Sequence, residues 1–288
     1  MRFKHLGKPL ICKYTAEKLL KAKEQGLKSI KISFDLGRSL IDVCLNSRGV
    51  VVNRLLIDWG VLREVAEGGE RDIYVVDESG VHSASIAGRH FYKLVLSRWA
   101  HAPTIEIDGI HMHRVKDVTP EVDAEMKVRL LGRIRCGNVL DTCMGLGYTV
   151  IAALRHGACR VTTIEVDENV LTLAQLNPWS RELEDERVEV RVGDSMEILE
   201  EYDEEFDAAI HDPPRFSLAG ELYGLEFYRK LAKALKPGGR IVHYVGQPGI
   251  VKGRRIWRGV LSRMRAAGFD VRYDPNTRCI YGKRVKSG

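Results

Sequence analysis

Four carboxylates between residues 141 and 212, the first followed by a glycine turn, are the residues best placed to do chemistry. Val139 to Thr149 reads VLDTCMGLGYT: an apolar run ending in Asp141, a turn with Cys143, Gly145 and Gly147, then a helical run opened by Tyr148 and Thr149. Strand, glycine turn and helix is the geometry of a nucleotide-binding crossover, because glycine lets the backbone approach a ligand with no Cβ in the way. Cys143 stands where the usual first glycine would be. The next β-branched run, RVTTIEV, contains Glu165 and Val166, with Glu165 24 residues after Asp141. A carboxylate at that spacing can accept both ribose hydroxyls of a nucleoside. VEVRV then leads into Gly193-Asp194-Ser195, where Asp194 can accept from an adenine amino group. FDAAI is followed at once by His211-Asp212-Pro213-Pro214-Arg215-Phe216. Each feature alone has a plain structural reading: a tight turn, a solvated strand end, a helix N-cap at Asp194, a strand-terminating turn at the prolines. In this order they argue for a nucleoside site.

The elements that must carry these residues alternate. After the fourth strand come a helix (221–235), a Lys-Pro-Gly-Gly turn, a strand (240–245), a helix (260–267) and two closing strands near 269–273 and 278–285. Alternating strands and helices predict an α/β fold around a parallel sheet. Over roughly the last 170 residues, a size normal for one domain, the series resembles the class I S-adenosylmethionine-dependent methyltransferases. The motifs that carry the likeness are DTCMGLG, the acid of IEVD, the GDS turn, DPPR and KPGG. The resemblance implies a Rossmann-like sheet and S-adenosyl-L-methionine as cofactor. It implies that the Gly145–Gly147 turn passes the methionine part, with Glu165 on the ribose and Asp194 on the adenine. The cofactor-binding set is then Asp141, Cys143, Gly145, Gly147, Tyr148, Thr149, Glu165, Val166, Asp194 and Ser195.

In this fold an Asp-Pro-Pro segment followed by an aromatic is typical of enzymes that methylate planar amino nitrogens. Such a lone pair is delocalised and must be drawn toward sp3 geometry before it attacks a sulfonium methyl. Asp212 and the Pro213 carbonyl can accept both N–H bonds, and Pro213 and Pro214 hold them rigidly by fixing φ. Arg215 directly follows the prolines and the aromatic, Phe216, comes one later, so either is the stacking platform for a base. No cysteine lies between Cys159 and Cys279, which argues against carbon methylation through a thiolate. The landmarks HMHR, LDTCMGLGYT and DPPRFS are similar to a group of archaeal predicted methyltransferases associated with RNA modification. The expected function is therefore methylation of an exocyclic amine of a base in ribosomal or transfer RNA, cytidine N4 first and guanosine N2 second. The alternatives are aminopropyl transfer in polyamine synthesis, methylation of a protein amide, and a non-catalytic RNA-binding factor.

Length fits two domains: an N-terminal α+β substrate module to residue 117 and a catalytic domain from 118 to 288. Residues 1–31 carry a net +7 and residues 250–288 a net +9, leaving −10 for the body. Two basic ends on an acidic body suggest a polyanionic partner, with Lys252, Arg254 and Arg255 as phosphate contacts. The +16 of those ends is the wrong sign for a polyamine substrate. A hairpin over 104–115, turning at Asp108-Gly109, places His111 and His113 on one strand face beside Arg114. These three read either as an exposed strand face or as groups lining the substrate site, and no third ligand supports a metal. The six cysteines form no C-x-x-C pair and read as buried free thiols without a zinc site. No run approaches the ~20 apolar residues of a membrane helix, and the charged N-terminus lacks a signal core, so a cytoplasmic protein is expected.

Overall fold

The computed structural model describes residues 1–216, 218–246 and 256–285. The chain forms two compact units, each discontinuous in sequence. One comprises Met1–Lys4, Glu121–Leu171 and Glu182–Gly288; the other comprises His5–Pro120 and Thr172–Arg181.

The first unit is built on a seven-stranded sheet. Its strands run in the order Val188–Val192, Arg160–Glu165, Asn138–Asp141, Phe206–His211, Leu235–Tyr244, Cys279–Arg284 and Phe269–Asp274. The first five are parallel and the last two antiparallel. This is the α/β fold expected from the alternation of elements, with the Rossmann-like sheet that the resemblance implies. The inner strands are apolar on both faces, with Val139, Leu140, Ala208, Ala209, Ile210, Ile241 and Val242 all buried, as a parallel sheet covered by helices requires. The covering helix Leu225–Ala234 buries Phe227, Tyr228, Leu231 and Ala234, a helical stripe read straight from the spacing. Strand order reverses at Asn138–Asp141, which pairs with Arg160–Glu165 on one side and Phe206–His211 on the other. Ligands in open α/β sheets bind at the carboxyl ends of the strands at such a switch point.

The second unit holds a three-stranded and a four-stranded sheet, two two-stranded ribbons, and the helices Lys13–Glu24 and Trp59–Glu67. Ile11, Leu19, Ile32, Ile57 and Leu62 pack in its core. The segment 89–96, which the sequence leaves between helix and strand, contains the strand Phe91–Val95. The hairpin turning at Asp108-Gly109 pairs Thr104–Ile107 with Ile110–His111. Among the described residues no helix is long and apolar enough to cross a membrane.

One sequence expectation is corrected here. Cys136 and Cys159 are joined by a disulfide, with Cα atoms 4.5 Å apart; the remaining four cysteines are free. Each residue of the pair precedes a strand, and those two strands, Asn138–Asp141 and Arg160–Glu165, are neighbours. The pairing is a consequence of strand order, which a spacing of 23 residues does not reveal. Closing a loop of that length stabilises by about 3 kcal/mol through the unfolded chain. The Cys136→Ser/Cys159→Ser variant should therefore melt several degrees below the oxidised wild type. Reductant should lower the wild-type Tm by a similar amount and leave the variant unchanged. Equal melting of all three by calorimetry would show that the bond does not contribute.

Candidate active site

Asp141 ends the central strand and is fully buried. One carboxyl oxygen accepts from the Thr149 hydroxyl at 2.8 Å and the other from Thr163 at 2.6 Å. Burial pushes this carboxyl up to about 7. With both oxygens engaged inside the unit, Asp141 ties the turn and its helix to the sheet. Tyr148 and Thr149 are buried in the helix behind the turn. Gly147 caps that helix at φ 77°, and a Cβ there would lie 2.5 Å from Leu183 Cδ1, so a larger residue would strain the backbone and push Leu183 aside. Gly145, also at positive φ, donates its amide to Glu165 Oε2 at 2.8 Å. Cys143 is half-buried; burial, then the Glu165 and Asp141 carboxyls, push its thiol well above the ordinary range. It stands at the turn as a neutral thiol.

Glu165 accepts from the Gly145 amide on one oxygen and from the Asp167 amide, at 3.0 Å, on the other. Each oxygen keeps a lone pair, so a ribose diol can be met without displacing either bond. Burial pushes Glu165 up to about 7. Val166 beside it is 66 % exposed. Asp194 is exposed and caps the following helical turn by accepting from the Met196 amide at 2.7 Å, the plain structural role foreseen for it. Ser195 is buried and donates to the Thr142 carbonyl at 2.5 Å, joining the third strand's end to the glycine turn.

The fourth strand ends in His211, which is fully buried. Its Nε2–H donates to the Leu222 carbonyl, and Nδ1 takes the Thr142 hydroxyl at 2.6 Å. His243 donates from Nδ1 to the His211 carbonyl and accepts on Nε2 from Tyr228 at 3.0 Å. Burial lowers His211 to about 3 and His243 well below its usual range. Both imidazoles are therefore neutral supports, not proton carriers. Asp212 follows, with Oδ2 2.7 Å from the ammonium of buried Lys127. Lys127 also pairs with Asp123 at 2.8 Å, and its Nζ lies 3.9 Å from the centre of the Tyr244 ring. The Pro214 carbonyl is held by the Tyr223 hydroxyl at 2.8 Å. Pro213 is buried, whereas Arg215 and Phe216 are exposed, with Phe216 edge-on to Tyr223.

The sequence reading missed Lys127, Asp123, Tyr223 and His243. An Asp-x-x-x-Lys pair on the helix Pro120–Arg129 was the available signal for the first two. His111, His113 and Arg114 lie in the other unit. There His111 Nε2 is 2.5 Å from Glu106 and 2.7 Å from Arg71 Nη2, and His113 shares a hydrogen bond with Thr104. Lys252, Arg254 and Arg255 lie outside the described residues. No three His, Cys, Asp or Glu side chains among the described residues converge as metal ligands.

Glu165 yields a pH prediction. The form that accepts ribose hydroxyls is the carboxylate, and in the free protein it predominates only above about 7. Affinity for adenosine should rise as pH increases through 7 and then level, with a proton released on binding. Calorimetric titration in buffers of different ionisation heat reads both. The Glu165→Gln variant should bind more weakly and lose the pH dependence; a wild type with flat affinity from pH 5.5 to 8.5 would contradict this role.

Residues 138–277 match the family model of the spermine/spermidine synthase domain. The chain is 34 % identical over 111 residues to polyamine aminopropyltransferase 2 of Hyperthermus butylicus, covering 36 % of each protein. A spermidine synthase crystallised with the transition-state analogue AdoDATO superposes with TM-score 0.56 at 21 % identity, over 70 % of this chain and 73 % of that one. These matches overturn the reading as an RNA-base amino-methyltransferase, and with it RNA modification and intact S-adenosylmethionine as cofactor. A glycine turn and a ribose-accepting acid address only the adenosyl part of such a ligand, so motifs of this kind do not fix which group leaves its sulfur. Charge summed over the chain ends is no guide to the site: Arg272, Lys283 and Arg284 lie on the antiparallel strands Phe269–Asp274 and Cys279–Arg284, and Arg284 pairs with Glu204 at 2.9 Å. Around Asp212 the charge is acidic. The uncharacterized protein MJ1233 of Methanocaldococcus jannaschii is 46 % identical over 215 residues, 74 % of this chain and 73 % of that protein, and the chain belongs to its family.

Proposed function

We propose that the protein transfers an aminopropyl group from decarboxylated S-adenosylmethionine to a primary amine of a short linear polyamine. The observation that carries this reading is the Asp212 carboxylate at the end of the strand beside the glycine turn, within the segment that matches the spermine/spermidine synthase domain. The chain spans only about a third of the Hyperthermus aminopropyltransferase, so the activity rests on the site as well as on the likeness.

Each part of the site has work in this reaction. Glu165 and the Gly145–Gly147 turn take the ribose and the sulfur side of the nucleoside. Asp212, with one oxygen paired to Lys127, presents its carboxylate where the aminopropyl arm and the acceptor meet. An arm without a carboxylate suits that rim; an intact methionine arm would bring another anion to it. An aliphatic amine is protonated near neutral pH and must lose a proton to attack. Asp212, with Oδ2 held by Lys127, can receive it on Oδ1. The amine lone pair then forms a bond to the aminopropyl carbon next to sulfur. The C–S bond breaks, its electron pair stays on sulfur, and neutral 5′-methylthioadenosine leaves. Held geometry and charge supply the catalysis, with no covalent intermediate. Tyr223, through the Pro214 carbonyl, holds the segment that carries Asp212.

Purified protein should convert decarboxylated S-adenosylmethionine and a linear diamine into 5′-methylthioadenosine and a longer polyamine, followed by mass spectrometry. The Asp212→Asn variant should lower kcat by about 10²-fold or more while still binding 5′-methylthioadenosine. Consumption of intact S-adenosylmethionine with no aminopropyl product would overturn the proposal.

A further inference from the structure

We infer that the chain carries a second ligand site, at the amino end of its seven-stranded sheet, that binds a short linear polyphosphate. The inference is independent of the aminopropyl-transfer reading. Asp141 and His211 mark the carboxyl ends of the strands Asn138–Asp141 and Phe206–His211. At their amino ends lies a cavity of about 530 Å³, a size usual for a ligand pocket. Arg135, Lys236 and Arg240 line it together with one carboxylate, Asp207. Gly137, Gly238 and Gly239 add a wall of backbone, the last two from the Lys-Pro-Gly-Gly turn that the proposed reaction leaves unused. Arg135 and Cys136 are consecutive non-glycine residues at φ 46° and 58°, a conformation that persists only where its surroundings enforce it. The Cys136–Cys159 bond enforces it, with the Cys136 amide donating to the Gly157 carbonyl at 2.8 Å. The backbone of Arg135 is thereby fixed at the edge of the cavity.

The charge in this cavity is not balanced from within. Lys236 pairs with Asp207 at 2.8 Å, and the second Asp207 oxygen accepts from the Asn138 amide at 2.8 Å. Of the acids just before that strand, Glu204 pairs with Arg284 and Glu205 lies toward Arg160. Among the described residues no carboxylate pairs with Arg135 or Arg240. Arg240 donates from Nη1 to the carbonyls of Leu131 and Arg133, which fixes the guanidinium and leaves three of its five donors for a ligand. Two guanidinium charges therefore stand uncompensated in one concave site, which concentrates anions there. Planar guanidinium forks fit the oxygens of phosphate groups two at a time. Two such forks suit a chain of linked phosphates better than a single one. Ile134 and Pro237 are the main apolar lining, too little to seat a nucleobase, so the ligand is the polyphosphate itself.

The test is calorimetric titration of the purified full chain with inorganic tripolyphosphate at physiological ionic strength, where diffuse surface attraction is largely screened. Wild type should bind one tripolyphosphate per chain, and should bind orthophosphate at least tenfold more weakly. Arg135→Gln should weaken tripolyphosphate at least tenfold; the side chain is exposed, so the variant is expected to fold. Arg133→Gln removes the same charge from an exposed residue two positions away that does not line the cavity, and should change the affinity less than twofold. Arg240→Lys keeps the charge but loses the fork, and should also weaken binding. Absence of saturable binding by the wild type would overturn the inference. Equal weakening by Arg133→Gln and Arg135→Gln would do so too, by showing only diffuse attraction to a basic surface. Equal affinity for orthophosphate and tripolyphosphate would overturn the assignment of the ligand as a polyphosphate.

Discussion

The carboxyl of Asp141 is the anchor on which the site depends. It is buried at the point where strand order reverses, and threonine hydroxyls from the following helix and the neighbouring strand take its two oxygens. A buried carboxyl left without partners costs several kcal/mol, so the hydroxyls must stay in place. Their positions hold the glycine turn against the strand that carries Glu165. The turn can then offer backbone at positive φ and still remain a rigid edge. Ser195 extends the arrangement to the third strand through the Thr142 carbonyl, and His211 extends it to the fourth through the Thr142 hydroxyl. One turn thus gathers the carboxyl ends of four strands.

Electrostatics at this edge are unbalanced toward negative charge, and the fold manages the imbalance in two ways. Asp141 and Glu165 are held near 7 by burial, which reduces their charge before a ligand arrives. Asp123 and Asp212 are instead matched by a lysine from the helix Pro120–Arg129. The paired histidines beneath contribute no charge. Their hydrogen bonds to Leu222, Thr142 and Tyr228 make them a neutral brace under the strand end that carries Asp212. Acidic groups therefore gather at the strand ends over a packed, uncharged layer, as the proposed transfer from a sulfonium to an amine requires.

Much of the fold was legible in the sequence. Parallel strands buried on both faces read as apolar runs, each ending in a polar residue at a turn, and the acids fell at the strand ends where the sheet places them. Partnerships between distant segments were not legible. Cys136 and Cys159 precede strands that become neighbours only through sheet order. Lys127 meets Asp212 across 85 residues, and nothing local marks that contact. Functional class was misread for a related reason. Charge summed over the chain ends reports on strands away from the switch point, such as Phe269–Asp274 and Cys279–Arg284, whereas selection of the group transferred in the proposed reaction depends on the few side chains around Asp212. A glycine turn and a ribose acid would serve any adenosyl sulfonium alike, so motifs of this kind leave the reactive arm open.

The central claim is that this site is built for a donor whose arm carries no carboxylate. The direct measurement is competition between decarboxylated and intact S-adenosylmethionine for the wild-type protein at pH 8, where Glu165 is ionised. The account predicts that the decarboxylated donor binds at least tenfold more tightly, because the intact arm adds an anion beside Asp212 and Asp123. Equal binding, or tighter binding of the intact nucleoside, would contradict it.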